Sequence, residues 1–157
     1  MDTGPLSVAT PITINRVNQL ESGYHIGGFH INVGATYTDA TTTASTSASL
    51  VGQPENRQPK FIYQVGPGYS NDFLDVGINV QGVSSATETD NAAPNNKLPA
   101  YTIVTGHFDY YLTPKAVVSL GVYNLFNALA YTELDGGTTS ARALNGRNTK
   151  LSLKYSF

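Results

Sequence analysis

Three histidines are the side chains of this sequence best suited to bind a metal ion. His25 and His30 flank the glycine pair at 27–28, and His107 lies far along the chain. Imidazole binds transition metals, and histidines on either side of a tight turn could approach one another on paired strands. The sequence has no cysteine to add a thiolate ligand. We expect these histidines to be polar residues of a hydrated protein surface, and we predict no metal site and no cofactor.

Motifs of common catalytic sites are missing. The sequence contains no Gly-x-Ser-x-Gly elbow, and no helix pattern opens after the GPG at 66–68, so no phosphate-binding loop is predicted. Serines and histidines are present, but no local geometry supports a catalytic triad. The net charge is −2 without a basic patch, which argues against nucleic acid as a partner. We predict that the protein is not an enzyme.

The last eleven residues, RNTKLSLKYSF, alternate between apolar and polar side chains. Successive side chains of a strand point to opposite faces, so such a strand has an apolar face and a polar face. The apolar set is Thr149, Leu151, Leu153, Tyr155 and Phe157. The polar set is Asn148, Lys150, Ser152, Lys154 and Ser156. Because a lysine facing lipid is costly, we place both lysines toward water, together with Asp75 and Asp109.

Similar alternation predicts about seven strands of roughly ten residues, the length that crosses a bilayer at a tilt of about 45°. They lie near 15–26, 29–38, 60–69, 73–83, 101–112, 116–126 and 147–157. Charged residues make up 13% of the chain, about half the usual roughly 25%. Glycine (15 residues) and tyrosine (10 residues) are abundant. This composition suits strands that face lipid on one side and water on the other.

Short and long connections alternate between these strands. Tight turns are predicted at 27–28, 71–72 and 112–115, and long loops at 39–59, 84–100 and 128–146. The low-complexity segment 39–59 is expected to be a solvated, mobile loop. Transmembrane barrels have short periplasmic turns and long external loops. We therefore predict an all-β chain that forms an antiparallel segment of a transmembrane β-barrel in the outer membrane of a Gram-negative bacterium.

The amino-terminal residues fit this scheme differently. We predict that residues 1–14 are an external loop or a partial strand, and that residues 15–157 are barrel strands. An odd number of strands is unusual for a bacterial barrel, and open sheet edges are not tolerated in hydrocarbon. The first residues also lack the pattern of a signal peptide. We expect the chain to be the carboxyl-terminal part of a larger barrel.

Three stretches resemble the TonB-dependent outer-membrane receptors. GVYNLFNALAY at 121–131 resembles their penultimate-strand motif, NGRNTKLSLKYSF at 145–157 resembles their closing strand, and NRQPKFIYQVGPGYS at 56–70 resembles an Arg-x-Pro strand entry. The resemblance implies one part of a 22-stranded barrel that imports a scarce large nutrient such as a ferric siderophore, cobalamin or a saccharide. It also implies as partners the lipid bilayer, the remaining strands and plug, the barrel-assembly machinery and, through the plug, the TonB system.

The resemblance assigns roles to two groups of residues. Tyr155 and Phe157 would form the assembly signal and membrane anchor at the end of the chain. The penultimate-strand motif, Asn124, Leu125, Phe126 and Asn127, would mark architecture: the asparagines end the strand and Phe126 packs at the barrel rim. Candidate ligand contacts in the last long loop are Tyr131, Glu133, Asp135 and Arg142.

Two alternatives remain open from the sequence. A self-contained eight-stranded outer-membrane barrel, of structural or adhesion type, would need one more strand, within residues 8–15. A soluble β-sandwich that binds carbohydrate or protein would instead bury the apolar faces in a shared core. The transported substrate and the oligomeric state are not readable from the sequence.

Overall fold

The computed structural model describes residues 12–45, 48–90, 93–134 and 141–157. In these ranges the regular secondary structure is β-strand apart from one short 3-10 helix at Ala48–Leu50. Its strands are β1 Ile12–Ile26, β2 Phe29–Ala44, β3 Phe61–Ser70, β4 Leu74–Val83, β5 Ala86–Asp90, β6 Ala93–Leu98, β7 Tyr101–Thr113, β8 Ala116–Tyr123, β9 Tyr131–Leu134, β10 Ala141–Ala143 and β11 Asn148–Tyr155. No helix in the described ranges is both long and apolar enough to span a membrane, a finding that does not bear on β-barrels.

Seven strands form one antiparallel sheet in the order β1-β2-β3-β4-β7-β8-β11. The prediction of an antiparallel seven-stranded segment is confirmed. β8 ends at Tyr123, three residues before the predicted end. The β-sandwich alternative is wrong, because these strands form a single sheet and its apolar side chains are not covered by a second one.

Strand register collects the apolar side chains on one face of this sheet. Val33 pairs with Val65, Val65 with Val80, and Val80 with Val104, which forms a valine row across four strands. Directly paired residues lie on the same side of a sheet, so the alternation of each strand continues across its neighbours. The apolar face is open to the surroundings: Leu153 is 69% exposed. The polar face carries the intervening residues.

The tight turns follow from local chemistry. Gly27 and Gly28 connect the paired residues Ile26 and Phe29, and Gly27 has φ of 57°, which glycine adopts without a Cβ penalty. At the second turn, the Asn71 side chain accepts hydrogen bonds from the backbone N–H groups of Phe73 and Leu74 at 2.8 and 2.9 Å. These contacts reverse the chain within a few residues and leave both flanking strands in register.

The three long connections, residues 45–60, 84–100 and 124–147, contain more structure than the sequence predicted. Two hold hairpins, β5 with β6 and β9 with β10. The loop predicted at 39–59 is wrong for its first part, because β2 continues to Ala44 and Thr42 is buried. The returning chain supplies the reason: the Thr42 N–H donates to the Gln53 carbonyl at 3.0 Å, and the Glu55 N–H donates to the Ala40 carbonyl at 2.9 Å.

Residues 12–14 begin β1, where Ile14 pairs with Thr41. The remainder of the prediction for residues 1–14 lies outside the described residues. Several of the most buried apolar side chains lie in or beside the long connections rather than at the tight turns: Ala86, Leu98, Ile103 and Ala130. A small core thus joins the hairpins to the end of the sheet.

Candidate functional site

A buried carboxylate lies at the centre of the long connections. The Glu88 side chain, in β5, has no exposed surface. Its Oε1 lies 2.5 Å from Nε of Arg57, and its Oε2 accepts a hydrogen bond from the Leu134 N–H at 2.8 Å. A buried charge requires such partners because desolvation strongly penalises an unpaired one. Glu88 therefore connects the first and third long connections through its two oxygens.

Arg57 extends this network to a second carboxylate. Its Nη1 lies 2.9 Å from Oε1 of Glu133, and the other Glu133 oxygen is 3.1 Å from Nη1 of Arg142. The hydrogen bond that the Arg57 guanidinium donates to Glu88 is the main cause that raises the pKa of Arg57 above its ordinary value. A raised arginine pKa keeps the guanidinium charged below that value, hence at every physiological pH. The four side chains form an ion network with two positive and two negative charges.

The backbone of Arg57 is also committed to the network. Its φ of 59° lies in the left-handed region, which is uncommon for residues other than glycine. In this conformation its N–H donates to the Thr87 carbonyl at 2.8 Å. Arg57 is thus fixed to β5 by both its backbone and its side chain.

The structure brings three of the four predicted ligand contacts together. Glu133 and Arg142 are paired residues of β9 and β10, and Tyr131 pairs with Ala143. Asp135 lies outside the described residues. Arg142 is strongly exposed, whereas both oxygens of Glu133 are occupied by arginines. Glu133 is therefore engaged within the ion network, and Arg142 is the more accessible of the two charged residues for contact with a ligand.

Sequence reasoning placed Arg57 in an Arg-x-Pro strand entry but predicted neither the role of Glu88 nor the pairing of the two. They are 31 residues apart, in different connections, with no periodic pattern that links them. The available signal was indirect: both are charges within connections that are otherwise rich in Ser, Thr, Ala and Pro. Only the packing of three connections against each other reveals the pair.

All three histidines lie in a single row on the polar face. His25 pairs with His30, His30 with Gly68, Gly68 with Gly77, and Gly77 with His107. Nε2 of His107 is 3.0 Å from Oδ1 of Asp75. Within the described ranges, no group of three or more His, Cys, Asp or Glu side chains is placed to hold a metal ion. The row therefore contains one histidine–carboxylate pair, His107 with Asp75.

The penultimate-strand motif forms a compact polar junction. Asn124 is 1% exposed with φ of 50°; its amide donates to the carbonyls of Ala128 and Asn145 and accepts from the Ala128 N–H. Asn127, also at positive φ, accepts a hydrogen bond from the Arg147 N–H at 2.9 Å. The two asparagines thus join the end of β8 to the start of β11. Leu125 and Phe126 are exposed, and at 74% exposure Phe126 lacks the packing expected at the rim.

At the end of the chain, two aromatic rings contact one another. The ring centroids of Tyr155 and Phe157 are 5.2 Å apart in an edge-to-face arrangement. The Ser156 N–H donates to the Lys115 carbonyl at 2.8 Å, which holds the final residues beside the tight turn between β7 and β8. Their role as an assembly signal remains a prediction.

Comparison with solved structures gives the same fold several times. The ferric yersiniabactin uptake receptor FyuA from Yersinia pestis matches with a TM-score of 0.78, 16% identity and coverage of 92% of this chain and 24% of that chain. The ferric-catecholate import receptor Fiu from E. coli K12 matches with a TM-score of 0.74, 18% identity and coverage of 91% and 21%. The ferripyoverdine receptor of Pseudomonas aeruginosa matches with a TM-score of 0.72, 20% identity and coverage of 92% of this chain and 20% of that chain.

These identities establish the shared fold alone. The chain spans between a fifth and a quarter of each of these three receptors. No curated protein sequence matches it. A family model described as "TonB dependent receptor-like, beta-barrel" matches residues 16–125, more than half of the chain. The chain accordingly belongs to the TonB-dependent receptor-like β-barrel family.

Proposed function

We propose that this chain forms part of the wall of an outer-membrane barrel that imports a large, scarce nutrient, with a ferric siderophore as the favoured cargo. The observation that carries the proposal is the single apolar face that continues across seven strands, with a polar face behind it. Side chains that alternate between lipid and a hydrated lumen are the basis of a transmembrane barrel.

The dimensions of the apolar face support a membrane location. Phe29 and Tyr69, with ring centroids 4.7 Å apart, lie near the tight turns, and Phe61 and Tyr63 lie near the opposite end. From Phe29 to Tyr37, β2 advances by about 27 Å at about 3.4 Å per residue. With a tilt of about 40° this is a height of roughly 20 Å, comparable to the apolar band of about 25 Å between aromatic girdles.

The arrangement of connections supports an orientation. Tight turns belong on the periplasmic side and long connections outside the cell. The ion network of Arg57, Glu88, Glu133 and Arg142 then lies on the external surface, where an arriving ligand is met. Tyr131 and Arg142 are the ligand contacts that we favour, and Asp135 remains a candidate.

The named ligands of the solved relatives favour an iron chelate over cobalamin or a saccharide. FyuA is named for ferric yersiniabactin, Fiu for ferric catecholate, and the Pseudomonas receptor is bound to ferripyoverdine. We extend this ligand class to the present chain, together with the plug, the TonB system and the barrel-assembly machinery as partners. Catalysis is not part of the proposed role.

Strand direction weighs against closure of these seven strands by themselves. β1 and β11 are the two edges of the sheet and, with five antiparallel neighbours between them, run in the same direction. An antiparallel closure therefore requires an odd number of additional strands. The eight-stranded alternative meets this condition only if residues before Ile12 supply a strand. A closed small barrel would change its gel mobility on boiling, whereas an open sheet would not.

Spin labels test the membrane face directly. Labels at Ile78, Leu120 and Leu153 in outer membranes should be accessible to oxygen and protected from a water-soluble nickel reagent. Their sequence neighbours Asn79, Ser119 and Ser152 should show the reverse. Equal accessibility of both sets would reject the proposal that the chain forms a barrel wall, and with it the proposal that it belongs to an importer. Protection of the labels at Ile78, Leu120 and Leu153 from oxygen as well as from nickel would do the same.

A further inference from the structure

A cleft of about 120 Å³ opens between the long connections. Its walls come from all three of them: Arg57 and Pro59 from the first, Leu98 from the second, and Tyr131 and Thr132 from the third. Strand ends complete it. Because no single connection could form this space, the cleft depends on the relative placement of the three.

The ion network supplies that placement. Arg57 is itself a lining residue, and its guanidinium contacts Glu88 from the second connection and Glu133 from the third. Glu88 in turn accepts from the Leu134 N–H, two residues beyond Thr132. A paired charge with no exposed surface is costly to separate, so the walls are held before any ligand arrives. Such preorganisation reduces the entropic cost of binding.

The charges around the cleft cancel. Arg57 is the one charged side chain among the ten described residues that line it. Two carboxylates already neighbour this guanidinium, and Arg142 balances the second of them. An anionic ligand would compete with Glu88 and Glu133 for the same guanidinium, and a cationic ligand would compete with Arg57 and Arg142 for the same carboxylates. The cleft therefore favours an uncharged group.

Size and wall chemistry define that group further. Val83, Ala86, Leu98 and two prolines provide apolar walls. The hydroxyls of Ser84 and Thr132 already donate to the carbonyls of Ser85 and Arg142, so the hydroxyls left for a ligand are those of Tyr101 and Tyr131. A closed apolar cavity of about 150 Å³ binds benzene, and a cleft of about 120 Å³ that opens to the surface is close to the size of one six-membered ring. We propose that this cleft binds a single small uncharged ring that carries a hydroxyl group, the chemistry of phenol. The inference rests on the proposed function in that such a ring would be one part of an imported ligand.

Phenol is the probe, measured by saturation-transfer NMR with the full chain in detergent micelles at pH 7. We expect saturable binding of phenol and at least about tenfold weaker binding of benzoate, the anionic analogue. Ser84→Phe places a ring in the cleft and should weaken phenol binding by about tenfold or more. Ser85→Phe, at the exposed neighbouring position outside the lining, should leave it unchanged and controls for partition into micelles. Thr132→Phe is the second filling variant if Ser84→Phe does not fold.

Glu133→Gln tests the charge argument. It removes one carboxylate from Arg57 without removing the lining, so benzoate affinity should rise by about fivefold or more while phenol affinity changes little. Equal binding of benzoate and phenol to the natural chain would overturn the inference, as would equal phenol binding by the Ser84 and Ser85 variants. Neither result concerns the apolar face of the sheet, so the proposal that the chain belongs to an importer would be unaffected. Conversely, failure of the spin-label experiment would leave a measured phenol site intact.

Discussion

Nε of Arg57 lies 2.5 Å from Oε1 of Glu88, a carboxylate with no exposed surface, across 31 residues of sequence. Along the chain, these two residues are separated by β3 and β4. With the contact of Arg57 to Glu133, this ion pair makes the three long connections a single structural unit. Glu133 extends the unit to the hairpin of β9 and β10.

Glu88→Ala should loosen these connections without disrupting the main sheet. The change leaves the Leu134 N–H without its acceptor and removes one carboxylate from Arg57. We expect external protease cleavage within residues 84–100 and 128–146 to accelerate by about tenfold, because local opening becomes more frequent. Lys97→Ala, which removes an exposed charge outside the network, is the control. Cleavage at the same rate in both variants would show that the network does not hold the connections.

Asn124→Ala should destabilise the junction between β8 and β11. The residue loses three hydrogen bonds, and alanine tolerates a positive φ less well than asparagine, so we expect a combined cost of about 2–4 kcal/mol in urea unfolding. Asn124→Gly keeps the conformational freedom and should recover part of this cost. Phe126→Ala, at an exposed side chain, should change stability little. A larger effect at Phe126 than at Asn124 would contradict this account of the motif.

Gly77→Ala should be destabilising only while His107 is present. A Cβ at Gly77 would lie 2.5 Å from Cε1 of His107, and the three nearest atoms all belong to that imidazole. We expect a loss of about 1–2 kcal/mol from this overpacking, which His107→Ala should largely relieve in the double variant. Gly121→Ala is a matched control, since no atom lies within 4 Å of its added Cβ. Additive effects of Gly77→Ala and His107→Ala would reject the contact.

Leu151→Lys should be much more destabilising than Ser152→Lys, because the two residues lie on opposite faces of the sheet. Leu151 pairs with Leu120 on the apolar face, and Ser152 pairs with Ser119 on the polar face. A lysine in mid-bilayer costs about 2–4 kcal/mol, whereas a lumen-facing lysine costs little. Reversible unfolding in lipid vesicles measures the free-energy cost of each substitution. A soluble chain would tolerate the two exposed substitutions equally.

Phe157→Ala should reduce the amount of protein assembled in the outer membrane. The terminal ring packs against Tyr155 but is otherwise exposed, so its removal should have little effect on the stability of protein that is already folded. Heat-resistant, membrane-associated protein should decrease several-fold relative to Leu129→Ala, another exposed apolar residue. Normal assembly of Phe157→Ala would remove the basis for the assembly signal.

Much of the main sheet could be predicted from the sequence because its information is local. Alternation in a segment such as 74–81 identifies both the strand and its two faces, and Gly27-Gly28 or Asn71 marks a reversal within a few residues. Register then follows, since a slip by one residue would mix valines with glutamines across the row of Val33, Val65 and Val80. These features need no knowledge of distant contacts.

The long connections could not be predicted in this way. β5 and β10 are only five and three residues long, too short for a period to be recognised. The residue at the centre of β5 is a glutamate, so burial there is opposite to what its polarity suggests. Its partners, Arg57 and Leu134, come from different connections. The approach of His25 to His30 was predicted from the tight turn between them, but the place of His107 in the same row was not, because two glycines separate it from His30 across the sheet.

Joining the three long connections through one guanidinium limits how they can be exchanged. A donor loop grafted in place of residues 84–100 alone would leave Arg57 and the Leu134 amide facing a surface that was not built for them. Swaps intended to transfer ligand preference between barrels should therefore move all three segments as one cassette, including the arginine. By the same reasoning, length changes in one connection should be accepted only with compensating changes in the other two.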